Sequence, residues 1–315
     1  MKKKSWVLLT IVCLLVCFGL ARVYYRFTDD FRSGNYMHQV PHHAEWEIAA
    51  LPQEEQTQLD TILAQKYYYL GKGAQSFAFL SQDGNHVLKL FKFKHLKPSW
   101  LIELLPPVGL FKRMREEEKE RKYLKLESVF NGYQLAYDLH KKDSGLLFVH
   151  LNKDSGPGKK VRVQDKINLW HDLDLNELIY VLQKKAVTTR QEMINLLSRG
   201  DVSTAIQRVN QIFDLYLTEY AKGIYDRDHG VMHNTGFVHE SASVYPIHLD
   251  IGKLSPNESM KQVTVYRPDL EKVVYKFNLW FSENYPQYYQ ELRQAMEGKL
   301  STIFGEGYHV QPLRT

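Results

Sequence analysis

Hydrophobic residues along this chain gather first into one block. Lys2, Lys3 and Lys4 precede a run from Trp6 to Ala21 with no charged residue, and Arg22 and Arg26 follow. A spanning helix needs roughly 17–25 apolar residues, so the run is short, and Ser5 and the aliphatic stem of Arg22 extend it. The pattern predicts a membrane anchor in residues 1–27. The alternative is a cleaved signal peptide, with Gly19 and Ala21 as the small residues before the cut.

A polar connector is expected next, within residues 28–65. It holds His38, His42 and His43, which lack a cysteine or an acidic partner at ligand spacing and read as a solvated linker. A short helix is predicted over 53–65, with Leu59, Ile62 and Leu63 on one face. The pattern then changes to strands at 66–70, 77–80 and 86–93, the last two joined by the tight reversal Asp83-Gly84-Asn85. A charged helix follows over about 110–129, then strands at 145–150 and 160–164 with a turn at 154–158 between them. From about residue 174 the spacing is helical. Val202, Ile206, Val209, Ile212, Phe213, Leu217 and Tyr220 give the clearest helix, and 269–283 and 288–296 give two more. The reading is therefore α+β, with a strand-rich part at 66–170 and a mainly helical part at 171–315. Two lobes with a ligand-binding cleft between them are expected.

Composition narrows the class. An apolar fraction of 44% and a charged fraction of 24% are those of a globular chain. The net charge of +5 is spread among mixed signs, so nucleic acid is not an expected partner. Both cysteines, Cys13 and Cys17, lie inside the first apolar run, which leaves the remainder without disulfide or thiolate chemistry.

The candidate chemistry lies in four places. Gly71 and Gly73, with Ser76 after them, form a turn whose backbone can approach phosphate oxygens without a Cβ in the way. Lys89 lies between two leucines in the strand after the hairpin, and the following helix offers Glu117 and Glu120 as acids to orient it. Much later, Asp226-Arg-Asp228 and Asn234 occupy one loop, with Asp226 an alternative to Asp228 as catalytic base. Asp250, on the end of an apolar run and two residues before Gly252, adds a hard oxygen ligand to that of Asn234. His229 and His233 flank Gly230 in a loop and do not have the spacing of a helical metal pair.

In this order, the parts resemble the protein-kinase-like superfamily over roughly residues 66–255. Gly71-x-Gly73 is similar to the phosphate-covering loop and Val87-Leu-Lys89 to the strand-lysine motif. Arg227-Asp228 through Asn234 resembles the catalytic loop, and Asp250-Ile-Gly252 the metal-binding Asp-Phe-Gly. Five residues separate Asp228 from Asn234, where the family pattern has four, and no Ala-Pro-Glu follows Asp250. The resemblance is therefore to divergent, atypical members and not to conventional eukaryotic-type protein kinases. It implies a two-lobed kinase-like fold behind a membrane helix, with ATP and Mg²⁺ as nucleotide and metal. It also implies Lys89 on the phosphates, Asp228 as base, and Asn234 and Asp250 on the metal. The expected function is transfer of the ATP γ-phosphate to an unknown protein or small-molecule hydroxyl. The alternative is a pseudokinase-like nucleotide-binding or scaffold protein. The expected location is a single-pass membrane protein of a bacterial inner membrane, with signal cleavage and export as the alternative.

Overall fold

The computed structural model describes residues 2–153, 159–305 and 307–310; the turn expected at 154–158 lies outside them. The fold is mixed α+β with one apolar helix at the N-terminus. That helix, α1 (Lys2–Phe27), contains a 22-residue stretch, Trp6–Phe27, of mean hydropathy 2.4 with none of it buried. At 1.5 Å per residue the stretch is about 33 Å long, enough to cross a bilayer core. It fits a single-pass anchor or a signal sequence.

The chain divides into two compact units, both discontinuous. Unit 1 comprises residues 1–124 and 150–182, and unit 2 comprises 125–149 and 183–315. In unit 1, α2 (Gln53–Leu63) buries Leu59, Ile62 and Leu63, the face its spacing predicts. The strands β1 (Lys66–Lys72), β2 (Ser76–Ser81) and β3 (His86–Phe91) form an antiparallel meander. The chain then enters a long helix, α3 (Gly109–Leu139), which continues well past the expected end and carries the chain into unit 2. Next come β4 (Leu146–His150), β5 (Lys160–Gln164), β6 (Trp170–Asp174) and β7 (Tyr180–Lys184). The resulting seven-stranded sheet has the order β4-β7-β3-β2-β1-β5-β6, and the chain crosses between units within β4 and β7. In β3, Val87, Leu88, Leu90 and Phe91 are all buried, so both faces of this strand are covered.

The connector is packed and is not a solvated linker. Phe31, Tyr36 and Trp46 are each less than 10% exposed, and the Phe31 ring meets Phe77 and Phe79 of β2 edge-on at 5.2 and 5.3 Å. These aromatics are isolated in sequence and show no periodicity, so the pattern could not announce their burial. His43 Nε2 pairs with the Tyr123 hydroxyl at 2.7 Å, and His42 pairs with Glu47 at 2.8 Å, so the histidines serve local contacts. Asp29 and Asp30, with φ of 54° and 67°, turn the chain off the end of α1. Lys72 (2.7 Å), Tyr69 (2.8 Å) and Lys166 (3.0 Å) then hold the Asp29 carboxylate. Burial raises its pKa, but the hydrogen bonds from Lys72, Tyr69 and Lys166 outweigh that and bring it down to about 2.

A depressed carboxylate contributes stability above its unfolded pKa and loses it as pH falls through its folded one. Asp29→Asn is therefore expected to cost about 1 kcal/mol at pH 7, once water around the exposed lysines is allowed for. The gap from the parent should close between roughly pH 4 and pH 2. Denaturant unfolding of both proteins across that range measures it.

Unit 2 is built on helices α4 (Thr189–Leu197), α5 (Val202–Ala221), α6 (Val263–Asn284) and α7 (Tyr289–Phe304). The side chains of Thr188 and Asp201 cap α4 and α5, accepting from the N–H groups of Gln191 and Thr204. Val209, Ile212, Phe213 and Tyr216 of α5 meet Phe277 and Phe281 of α6 and Leu292 and Met296 of α7 in one core. This part is less purely helical than its spacing suggests. It also contains β8 (Val187–Thr188), β9 (Ile224–Asp226), β10 (Thr235–Glu240), β11 (Ser243–His248) and β12 (Leu254–Pro256). They pair as a three-stranded sheet, β11-β10-β8, and a two-stranded one, β12-β9. Of these, β8, β9 and β12, of two or three residues, are too short to display an alternation.

Candidate functional site

Two strand ladders in unit 2 set Asp228, Asn234 and Asp250 side by side. In the first, Asp226 stands opposite Leu254; in the second, Thr235 stands opposite His248. The loop 227–234 and the segment 249–253 are therefore anchored at both ends. Asn234 joins them: its carbonyl accepts from the N–H of Leu249 at 2.7 Å and from that of Asp250 at 3.4 Å. Two glycines admit close neighbours around these segments, β8 beside β10 and α3 beside residues 249–253. A Cβ on Gly236 would lie 2.5 Å from the Val187 carbonyl oxygen, and one on Gly132 would lie 2.8 Å from that of Ile251. Gly236→Ala should cost about 1–3 kcal/mol, because backbone and not a flexible side chain must give way. A lowered urea midpoint with unchanged slope would register it.

Asp228 is the open carboxylate of the loop, with its side chain 35% exposed. Its Oδ2 accepts from Lys253 Nζ at 2.8 Å, and the Asn234 amide also donates to it. The Lys253 bond comes first among the effects that hold its pKa below the ordinary carboxylate value, so Asp228 is ionised at neutral pH. Asp226 differs. It is 1% exposed, and its Oδ1 accepts from the Asp228 N–H at 2.8 Å. Burial, and then the neighbouring Glu219 carboxylate, push its pKa up to about 7. Asp226 supports the loop from beneath, and Asp228 faces out of it.

The loop is tied down on its other sides. Arg227 donates to the Lys253 carbonyl at 3.1 Å and to Ser128 Oγ at 2.8 Å. His229 Nε2 lies 2.6 Å from Asp269 Oδ1 on α6, where the Tyr220 hydroxyl and Lys272 also donate to Asp269. Beside Asp228, between the loop and α6, lies a groove of about 820 Å³ lined in part by His233, Lys272, Tyr275 and Trp280.

The remaining candidates belong to unit 1. Gly71 and Gly73 fall in the β1-β2 hairpin, where the register shifts between Tyr69 and Gly71. Neither needs to be glycine on internal grounds. Neither has a positive φ, a Cβ on Gly71 would meet open space, and one on Gly73 would make only an ordinary contact of 3.8 Å. Lys92 Nζ donates to the Gly73 carbonyl at 3.0 Å and steadies the turn. Ser76 opens β2 opposite Phe91, and Lys89 stands opposite Ala78 on the neighbouring strand. Glu117 is exposed and accepts from Arg113 Nε at 2.7 Å, and Glu120 is also exposed.

Sequence reasoning passed over Lys253, Asp269 and a buried group formed by His140, Glu219 and His248. Of these, only Glu219 left a trace, as a lone acid three residues after Tyr216 on the apolar face of α5.

No known family model matches this chain. Over 118 residues it is 30% identical to a zinc metalloprotease, RasP, of Shouchella clausii (strain KSM-K16). The match takes in 35% of this chain and 27% of that protein, so the chain spans about a quarter of its relative's length. The sequence contains no His-Glu-x-x-His, the paired-histidine zinc motif of many such enzymes.

Proposed function

We propose that this chain is a divergent kinase-like phosphotransferase that moves the γ-phosphate of ATP to a hydroxyl acceptor. The observation that carries the reading is the double role of Asn234. Its backbone carbonyl holds the Asp250 segment, and its side-chain nitrogen bonds Asp228. An ionised aspartate, an amide and a second carboxylate are thus gathered from two separate segments in the order phosphoryl transfer uses.

The donor set suits magnesium. With its amide nitrogen committed to Asp228, Asn234 has its side-chain oxygen left to offer as a hard ligand, and Asp250, whose backbone N–H the Asn234 carbonyl holds, would add a carboxylate. Bound there, the ion would neutralise phosphate charge. Asp228 orients the acceptor hydroxyl and takes its proton as the new oxygen–phosphorus bond forms and ADP leaves with the bridging electrons. Lys253 keeps Asp228 ionised, and the groove along α6 receives the acceptor.

The test is release or transfer of labelled γ-phosphate by the detergent-solubilised full chain. Mg²⁺-dependent turnover that chelation abolishes is the expected result. Nucleotide binding without turnover under any acceptor mixture would leave the non-catalytic reading in its place. Absence of both would remove the proposal.

A further inference from the structure

Beneath the loop, His140, Glu219 and His248 form a group in which no member is exposed to solvent. One ligand atom from each lies within 4.8 Å of the other two. Each residue is fixed on one side and open on the other. Glu219 Oε1 accepts from the Asp226 N–H at 3.0 Å, whereas Oε2 has no hydrogen bond. His140 Nδ1 meets Lys222 Nζ at 3.1 Å and Asp143 Oδ2 at 3.5 Å, whereas Nε2 has no partner. His248 is held through its backbone carbonyl, which accepts from Gln183 Nε2 at 2.9 Å, and neither ring nitrogen makes a hydrogen bond. Its Nε2 comes within 2.9 Å of Glu219 Oε2 but off the line an N–H···O bond needs. Beside them, Asp226 Oδ2 is also buried and unpartnered. Buried polar atoms are nearly always satisfied, so this many open ones in a single place call for a missing partner.

We infer that His140, Glu219 and His248 bind one Zn²⁺ ion, which braces the loop from below. Two imidazole nitrogens and one carboxylate oxygen are a zinc set, whereas calcium and magnesium favour all-oxygen shells. With bonds of about 2.0–2.1 Å, tetrahedral ligands stand about 3.3 Å apart, so side-chain adjustments on the order of an ångström close the triad. Burial lowers the pKa of His248, but Glu219 and Asp226 outweigh it and draw the ring toward its charged form, so a bound dication would take the place of that proton in balancing the two carboxylates. Burial keeps His140 neutral, the form a ligand requires. His140 Nδ1 accepts from Lys222 in this structure, and a metal on Nε2 would move the ring proton to Nδ1. Lys222 would then turn wholly to Asp143, whose Oδ2, 3.5 Å from Nδ1, would accept that proton. Lys222 keeps its 2.6 Å bond to the same carboxylate, giving a carboxylate–histidine–metal relay. The ion would hold both limbs of the loop: His248 lies two residues before Asp250, and Glu219 carries Asp226, which in turn carries Asp228.

Metal content of the full chain decides the matter. The protein should be purified in detergent without a polyhistidine tag or chelator, from zinc-supplemented cells, and measured by plasma mass spectrometry. About one zinc per chain is expected, falling at least fivefold in both Glu219→Gln and His248→Gln. A strong chelator should lower the melting temperature of the parent but not that of whichever variant folds. Less than a tenth of an equivalent of zinc in the parent would overturn the proposal, even if both variants misfold. So would zinc that persists at full stoichiometry in a folded double variant. Iron or manganese at one equivalent would overturn the choice of zinc.

Discussion

Asp250→Asn is expected to abolish Mg²⁺-dependent nucleotide binding while leaving the fold intact. The substitution keeps the size and hydrogen-bonding capacity of the side chain and removes only the charge a hard dication requires. Changing groups that merely support a metal ligand typically costs about 10–100-fold in metal affinity, and loss of the ligand's charge should cost at least as much. The backbone that positions residue 250 should keep its bonds, since the Asn234 carbonyl accepts from its N–H and from that of Leu249, and an asparagine oxygen can accept from the Gly252 N–H as Asp250 Oδ1 does at 3.4 Å. Circular dichroism and melting temperature should therefore match the parent, and the affinity for ATP should lose its response to Mg²⁺. Unchanged Mg²⁺ dependence would remove Asp250 from the site.

Asp228→Asn should give the complementary result, with nucleotide binding kept and turnover lost. Removing a general base costs about 10²–10⁴-fold in rate. Stability should barely change, because the Lys253 partner is half-exposed and such surface pairs contribute about 0–1 kcal/mol. The buried neighbour is the control. Asp226→Asn disturbs the support of the loop and should lower stability together with activity, because its Oδ1 holds the Asp228 N–H from a position sealed from solvent. If Asp226→Asn were stable and inactive while Asp228→Asn stayed fully active, the two aspartates would have to exchange roles.

The first three strands were legible because Asp83-Gly84 punctuates an alternating run, and α5 because its apolar residues keep helical spacing over five turns. Two parts were expected, with a break near residue 170, but the early crossing that gives 125–149 to the second unit was not legible. It falls inside the continuous helix α3, where residues before 125 are largely exposed and Leu126, Val129, Phe130 and Tyr133 are buried. The charged sequence of that helix hides the change of surroundings. The packed connector escaped for a related reason: Phe31, Tyr36 and Trp46 are buried one by one against a sheet and never as a repeating face.

At the candidate site, the order of Asp228, Asn234 and Asp250 was readable because a short motif brings each with its neighbours. Their partners were not, because Lys253, Asp269 and Glu219 reach the loop through strand pairing and helix packing that no local pattern encodes. The buried histidines are the extreme case. His140 and His248 look like ordinary residues at the ends of a helix and a strand until the fold closes them on Glu219.

Calorimetric titration of the detergent-solubilised chain with ATP, in the presence of Mg²⁺ and then of a chelator, tests the central claim most directly. Binding of about one ATP per chain, clearly tighter with Mg²⁺ and insensitive to it in Asp250→Asn, is the predicted result. No binding heat up to millimolar ATP in a chain that melts cooperatively would contradict it.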